Sequence, residues 1–205
     1  MNPNSINERD VIMFSIKKFS KDQAGFTFVE IAIVLVIIGR LSGGVLKGQA
    51  MVQNAKVKRV VKLADELRAA VMTFYDKYGV YPGDENLAAI PPNGADAEGN
   101  GNGQIEAAEN FEVFRDLRLA GLISGNYTGT SAPTHAFGDT VGIQWVNPPG
   151  NTTPLAHYFM FNNLPADVCL EIDTKYDDGN WQTGSISGSA AYTNGTNVPV
   201  LYMLF

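Results

Sequence analysis

The chain has 205 residues, of which 45% are hydrophobic and 18% are charged, a composition that excludes wholesale disorder. Its formal net charge of −6 argues against a nucleic-acid partner. The single cysteine, Cys169, excludes an intramolecular disulfide and a cysteine-rich zinc site, and two histidines leave little material for a histidine-based metal centre.

An apolar segment from Phe26 to Leu46 follows a polar, lysine-containing stretch of 25 residues. As an α-helix it spans about 30 Å, the thickness of a hydrocarbon core, and this predicts a transmembrane helix. The preceding lysines favour a cytoplasmic N-terminus, although the basic residues that follow the segment weaken the argument for this orientation.

An ordinary secretory signal has its small residues after the apolar core, whereas Ala24 and Gly25 precede it here. Met13 is an alternative start that would leave residues 1–12 outside the natural chain.

Glu30 and Arg40 are the two charged residues within this apolar segment. A charged group in the membrane costs a few kcal/mol and usually has a partner. Either the Glu30 carboxylate reaches the membrane interface, or assembly supplies a cation. An N-terminal amine created by cleavage just before Phe26 would be such a cation, one helical turn away.

Residues 24–30, AGFTFVE, together with the apolar segment, resemble the class III signal of type IV prepilins and type II secretion pseudopilins. The resemblance implies that a prepilin peptidase cleaves between Gly25 and Phe26 and that the new N-terminal Phe26 is methylated. It also implies that Glu30 pairs with the N-terminal amine of a neighbouring subunit. Arg40 departs from the family pattern, in which an apolar residue is usual. It either pairs with Glu30 of another subunit or marks a minor subunit with restricted neighbours.

A heptad pattern of apolar residues extends the helix beyond the membrane to Tyr78, where Gly79 and Pro82 end it. The members of this stripe are Val57, Val60, Ala64, Leu67, Val71, Phe74 and Tyr78. We therefore predict one helix over about 26–78, of which only the C-terminal half is buried by its own domain. The predicted organisation is a leader (1–25), a transmembrane and filament-core half-helix (26–53) and an extracytoplasmic head (54–205). The family resemblance implies a pilin-like lollipop.

A Gly/Asn-rich loop has the spacing of an EF-hand-type calcium ladder, with a turn glycine at its sixth position. The candidate ligands are Glu98, Asn100, Asn102, Gln104, Glu106 and Glu109, with Asp84 and Asp96 as additional possibilities. Glu98 replaces the usual Asp at the first position, and no helix is predicted before the loop. A structural Ca²⁺ site and a solvated loop remain open as alternatives.

The rest of the head is predicted to contain a helix over about 106–120 and several short strands. The apolar runs VGIQWV, HYFMF, VCLEI and VPVLYMLF predict an antiparallel sheet that packs on the helix stripe, an α+β fold. Cys169 would then lie buried and inert in the third strand. Asp173, Asp177 and Asp178 form either a second cation site or, as we favour, an Asp/Gly turn.

Residues 84–205 contain 14 acidic and three basic side chains, which suits an extracytoplasmic surface. The motifs G-x-S-x-G, H-E-x-x-H and the P-loop are absent from the sequence, which predicts a structural protein with no catalytic residues. The resemblance implies a precursor in the bacterial inner membrane, with a single membrane span and its head in the periplasm. It also implies that the assembled subunit lies in an extracellular or periplasmic filament.

The expected partners are identical or related pilin subunits, the prepilin peptidase and an inner-membrane assembly platform. A type IV pilus and a type II secretion pseudopilus both remain open. The competing hypothesis is a membrane-anchored minor pilin that acts mainly as a binding, adhesion or priming module.

Overall fold

The computed structural model describes residues 25–87, 89–91 and 99–205. Contacts divide the chain into two compact units, Met1–Ala50 and Met51–Phe205, and we call the second the head unit. A long helix, α1 (Phe28–Tyr78), begins in the first unit and ends in the second. The head unit adds the helices α2 (Glu112–Leu119) and α3 (Ala166–Tyr176). Its strands are β1 (Val141–Val146), β2 (Ala156–Pro165), β3 (Ile186–Gly188) and β4 (Asn197–Leu204).

The part of α1 in the head unit buries one face, as the heptad pattern predicts. Its buried residues are Val57, Val60, Ala64, Leu67, Ala70, Val71 and Phe74. The ring of Phe74 lies 4.6 Å from that of Tyr78, between ring centroids. Gly79 follows with a φ of 76° and donates its N–H to the carbonyl of Tyr75 at 2.7 Å, which ends the helix.

The four strands form one antiparallel sheet in the order β1-β2-β4-β3. In the central pair, Phe159 of β2 faces Met203 of β4 and Phe161 faces Leu201. These side chains are buried in one core with the α1 stripe and with α2. The predicted α+β fold, a long helix packed by its C-terminal half on an antiparallel sheet, is therefore confirmed.

The outer edge of β1 is bonded to other parts of the head. The N–H groups of Val141, Ile143 and Trp145 all face away from β2. Val141 donates to the carbonyl of Pro133 at 2.9 Å, and Trp145 to that of Ile105 at 2.7 Å. Ile143 donates to the side-chain Oδ1 of Asn110 at 2.8 Å.

The prediction of a strand at VCLEI is wrong, because this segment lies in α3. Cys169 is buried as expected, but on a helix. Its neighbours on the buried face are Val168 and Ile172, a helical spacing that a short apolar run does not distinguish from a strand. The strand β3, which completes the sheet, was not predicted.

The helix predicted over about 106–120 begins later, at Glu112. The Glu109 carboxylate accepts the N–H groups of Asn100 (3.2 Å) and Glu106 (2.8 Å). Residues 106–109 are therefore held in a turn that precedes α2.

Candidate functional site

The N-terminal end of α1 carries the residues predicted for processing and assembly. Gly25 and Phe26 are exposed, and a side chain at Gly25 would have no described atom within 4 Å. Phe26 is 82% exposed, so its ring packs little against the described residues. The bond between Gly25 and Phe26 is thus sterically open on the side that the structure describes.

Glu30 forms a capping box with Thr27 at the start of α1. The N–H and the hydroxyl of Thr27 both donate to Oε2 of Glu30 at 2.9 Å, and the N–H of Glu30 donates back to Oγ1 of Thr27 at 3.3 Å. The spacing T-x-x-E identifies this motif, yet the sequence analysis did not assign Thr27 a role. The box satisfies helix N–H groups and leaves Oε1 of Glu30 available for a further donor.

The part of α1 in the first unit exposes large apolar side chains around its whole circumference. Val29, Ile33, Val36 and Leu41 are 54–64% exposed, and every other residue from Gly25 to Ala50 is exposed as well. It is the one helix among the described residues that is long and apolar enough to cross a membrane. The described residues leave this surface uncovered, as is expected of a helix that anchors a chain in a membrane.

Arg40 lies within the same exposed segment. Among the described residues it forms no ion pair, and the three pairs that occur lie further along the chain. Glu30 is ten residues away, about 15 Å along the helix axis. An arginine near the centre of a membrane costs about 2.5–3.5 kcal/mol on insertion scales.

A second candidate site lies in the loop 99–109 of the head unit. Glu98 and Asp96 lie outside the described residues. Of the remaining predicted ligands, the structure brings Asn100, Asn102, Glu106 and Glu109 together. The amide groups of Asn100 and Asn102 donate to the two carboxylate oxygens of Glu106 at 3.2 and 3.3 Å. Gln104 participates through its backbone, donating its N–H to Oδ1 of Asn102 at 2.8 Å.

Asp84 organises this loop from outside it and is only 1% exposed. Its carboxylate accepts the N–H groups of Asn102 (3.0 Å) and Gly103 (2.7 Å), and its carbonyl accepts that of Gly101 (2.8 Å). Burial raises the pKa of the Glu109 carboxyl, against the lowering effect of its two backbone donors. The loop therefore concentrates oxygen donors of the kind that hard cations prefer.

Comparisons with known proteins support the resemblance to type IV pilins. The chain is 33% identical to the type IV major pilin protein PilE of Neisseria gonorrhoeae over 69 residues, 33% of this chain and 41% of that protein. It is 29% identical to a type IV major pilin protein PilE1 of the same species over 124 residues, 60% of this chain and 74% of the relative. A fimbrial protein, EcpC of Eikenella corrodens, is 36% identical over 69 residues, 33% of this chain and 45% of the relative.

The chain is therefore similar to type IV major pilins. No family model matches it, and no solved structure matches it. Its alignments span less than half of the PilE and EcpC relatives and about three quarters of the PilE1 relative.

The pilin-like head also contains a buried histidine that the sequence analysis did not assign to any site. Nε2 of His157 accepts the N–H of Ile105, the residue in the middle of the loop, at 3.0 Å. Its ring packs between those of Tyr81 and Trp145, at centroid distances of 4.7 and 4.8 Å. Because Ile105 and His157 lie 52 residues apart, no local spacing could have revealed this contact.

The acidic cluster Asp173, Asp177 and Asp178 is brought together, with ligand atoms within 4.8 Å of one another. Its carboxylates accept hydrogen bonds from within the same turn. Gly179 donates to Asp173 at 2.9 Å and Asn180 to Asp178 at 2.8 Å. Asp177 accepts the N–H of Ile186 at 2.7 Å, which joins the turn to β3. These bonds are those of the Asp/Gly turn that the sequence favours.

Proposed function

We propose that this pilin-like chain is a prepilin that is cleaved between Gly25 and Phe26 and then assembled into a helical filament. The supporting observation is the exposed apolar surface of α1 before Ala50, which the described part of the chain leaves uncovered. In the precursor lipid covers this surface, and in the filament the same surface of sister subunits covers it. The filament is a type IV pilus or a type II secretion pseudopilus.

Packing rather than transfer out of water drives the assembly, because lipid tails are as apolar as the helices themselves. Small residues allow helix backbones to approach closely in such an environment. Gly39 and Gly43, like Gly44 and Gly48, are separated by one helical turn. A side chain at any of these four positions would meet no described atom within 4 Å. The surface around them is therefore open to a second helix.

The Glu30 carboxylate sets the register between subunits by pairing with the new N-terminal amine of a neighbour. The capping box with Thr27 supports this role, since it holds one carboxylate oxygen in place and leaves the other to accept a donor. Cleavage creates an N-terminal amine on Phe26 of every subunit, one helical turn before Glu30. The amine of one subunit pairs with the Glu30 carboxylate of its neighbour. Methylation of the N-terminal amine of Phe26 leaves the positive charge of that amine in place.

The proposed partners are identical or related pilins, the prepilin peptidase and an inner-membrane assembly platform. The precursor spans the inner membrane once, with its head in the periplasm, and the assembled filament is extracellular or periplasmic. The protein is a substrate of processing enzymes, and we propose no catalytic residue for it.

Incorporation of Glu30→Ala into sheared filaments tests this proposal, with Glu30→Asp as the matched control that retains the charge. We expect Glu30→Ala to remain in the membrane fraction and Glu30→Asp to assemble better. Mass analysis of the N-terminus of the mature chain should give methylated Phe26. A mature chain that keeps its leader, or unchanged assembly of Glu30→Ala, contradicts the proposal.

An alternative function is a membrane-anchored minor pilin in which the head binds a partner or primes a filament. A groove of about 510 Å³ in the head unit supports this alternative, because it offers a surface on which a partner could bind. The groove lies between the Leu63–Thr73 part of α1 and the segment 122–133, and it is lined mainly by apolar side chains. A chain that occurs in filaments only at substoichiometric amounts would support this alternative.

We further propose that the loop 99–109 binds a structural calcium ion. The donor set fits, because Asn100, Asn102, Glu106 and Glu109 supply carboxylate and amide oxygens, which calcium prefers. The buried carboxylate of Asp84 adds negative charge and fixes the loop backbone. Calcium would supply a stabilising clip for a head that has no disulfide.

A further inference from the structure

We propose that Arg40 pairs with Glu30 of a second copy of this chain, displaced along the helix axis by about ten residues. This inference rests on the proposed function, since it names a contact within the assembled filament. The proposed pair gives a role to Arg40, the charged residue that departs from the family pattern. The two residues are the only charges between Phe26 and Leu46.

The geometry of a single helix prevents these charges from meeting within one chain. Ten residues separate them by about 15 Å along the axis and by about 80° around it. Neither side chain bridges that distance. A parallel neighbour shifted by about 15 Å brings its Arg40 to the height of Glu30, and the length of the arginine side chain allows a few ångströms in either direction.

Both partners retain capacity for this contact. The Thr27 donors both occupy Oε2 of Glu30, and the two acceptor sites of Oε1 can serve a guanidinium as well as the proposed N-terminal amine. Arg40 is exposed and forms no ion pair among the described residues. A polar group in the membrane gains most from a partner there, because lipid offers it none.

In this contact, one copy uses the helix face that carries Glu30 and the other copy uses the face that carries Arg40. Because such a head-to-tail contact also shifts each copy by about 15 Å along the axis, it does not close into a ring and repeats from copy to copy. It therefore produces a filament rather than a symmetric dimer. The N-terminal amine of a different neighbour approaches the same carboxylate, so Glu30 joins two subunits.

Disulfide crosslinking in assembled filaments tests the register. In a Cys169→Ser background, Val34→Cys with Gly44→Cys places one thiol a turn beyond Glu30 and the other a turn beyond Arg40. Val34→Cys with Gly48→Cys is the matched control, displaced by one further turn. The control also uses a helical glycine with open surroundings. We expect oxidation to give covalent dimers several-fold more abundantly from the 34/44 pair than from the 34/48 pair.

Arg40 variants then identify the charge as the cause. Arg40→Leu should lower both the 34/44 crosslink and filament incorporation by about fivefold, a typical effect of one polar contact in a membrane. Arg40→Lys should retain most of both. Equal crosslinking of the two pairs, or normal assembly of Arg40→Leu, overturns this proposal and leaves the filament function intact. A parent chain that is absent from filaments contradicts both.

Discussion

The backbone N–H of Ile105 donates to Nε2 of His157 at 3.0 Å, and both residues are buried. The imidazole of His157 must be neutral for this bond to form, because a protonated Nε2 cannot accept a hydrogen bond. Burial lowers the pKa of His157, although the charge of Asp84 opposes the shift. Burial also lowers the pKa of His135, the other histidine of the chain. A loop of the head and the sheet are thus joined by a hydrogen bond that requires a neutral imidazole.

We expect the free energy of unfolding of the head to fall as the pH is lowered below about 6.5, the ordinary pKa of histidine. The unfolded chain takes up a proton there, whereas the folded chain, with its lowered pKa, resists protonation. Denaturant titrations between about pH 7.5 and 5.5, followed by tryptophan fluorescence, measure the slope. His157→Gln should make the slope shallower, and an identical slope in variant and parent would contradict this assignment.

Phe74 is completely buried in the α1 stripe. Phe74→Ala removes its packing and leaves a cavity, so we expect a loss of about 3–5 kcal/mol in the free energy of unfolding. Met72 lies two residues earlier on the same helix and is 43% exposed. Met72→Ala is therefore a control that should change stability by about 0.5 kcal/mol or less. Equal losses in the two variants would show that the stripe does not determine the packing of the head.

The hydroxyl of Tyr192 donates to Oδ2 of the buried Asp173 at 2.7 Å. Tyr192→Phe removes this donor from a carboxylate whose pKa burial already raises. We expect destabilisation by about 1–3 kcal/mol at neutral pH, with partial recovery in acid as Asp173 becomes protonated. Thermal melts at two pH values check this, with the exposed Tyr176→Phe as control. A loss that does not depend on pH would argue that packing, not the hydrogen bond, is responsible.

Gly25 precedes the proposed cleavage site, and there is room for a side chain at this position on the described side. Gly25→Leu should nevertheless accumulate as uncleaved precursor, because the peptidase must accommodate the residue. Immunoblotting of membranes distinguishes the two lengths. Gly39→Leu, a similar change outside the leader, should be cleaved normally. Normal cleavage of Gly25→Leu would move the site elsewhere.

Calcium should raise the melting temperature of the detergent-solubilised chain, since binding to the folded state alone stabilises it. Glu109→Gln removes a buried carboxylate from the loop and should abolish the shift. Glu171→Gln is a control outside the loop. A calcium response that is equal in all three proteins, or that is absent at millimolar calcium, would eliminate the ion as a ligand of this loop.

The long helix could be predicted from sequence because its two halves use strong, sustained patterns. An apolar run of membrane length is followed by a heptad stripe whose members are buried as expected, except Tyr78, which is half-buried. The shorter elements were less predictable. The run VCLEI is too short to distinguish a strand from a helix, and only its helical spacing of buried residues, seen in the fold, decides the question.

The candidate loop shows the same limit at the level of individual side chains. Local spacing identified Asn100, Asn102, Glu106 and Glu109, since ligands of one loop lie close in sequence. The sequence predicts Asp84 only as an additional ligand. Its role in fixing the loop backbone is seen only in the fold. His157 reaches the loop from β2, and sequence alone does not reveal such a distant contact.

The occupied outer edge of β1 affects how copies of this chain can associate. Free strand edges template the addition of foreign strands and thereby cause aggregation. Pro133, Asn110 and Ile105 already accept the outward N–H groups of β1, and β3 at the opposite edge is only three residues long. In the proposed filament, the heads would thereby be protected from edge-to-edge strand pairing, and the subunits would associate through the apolar part of α1.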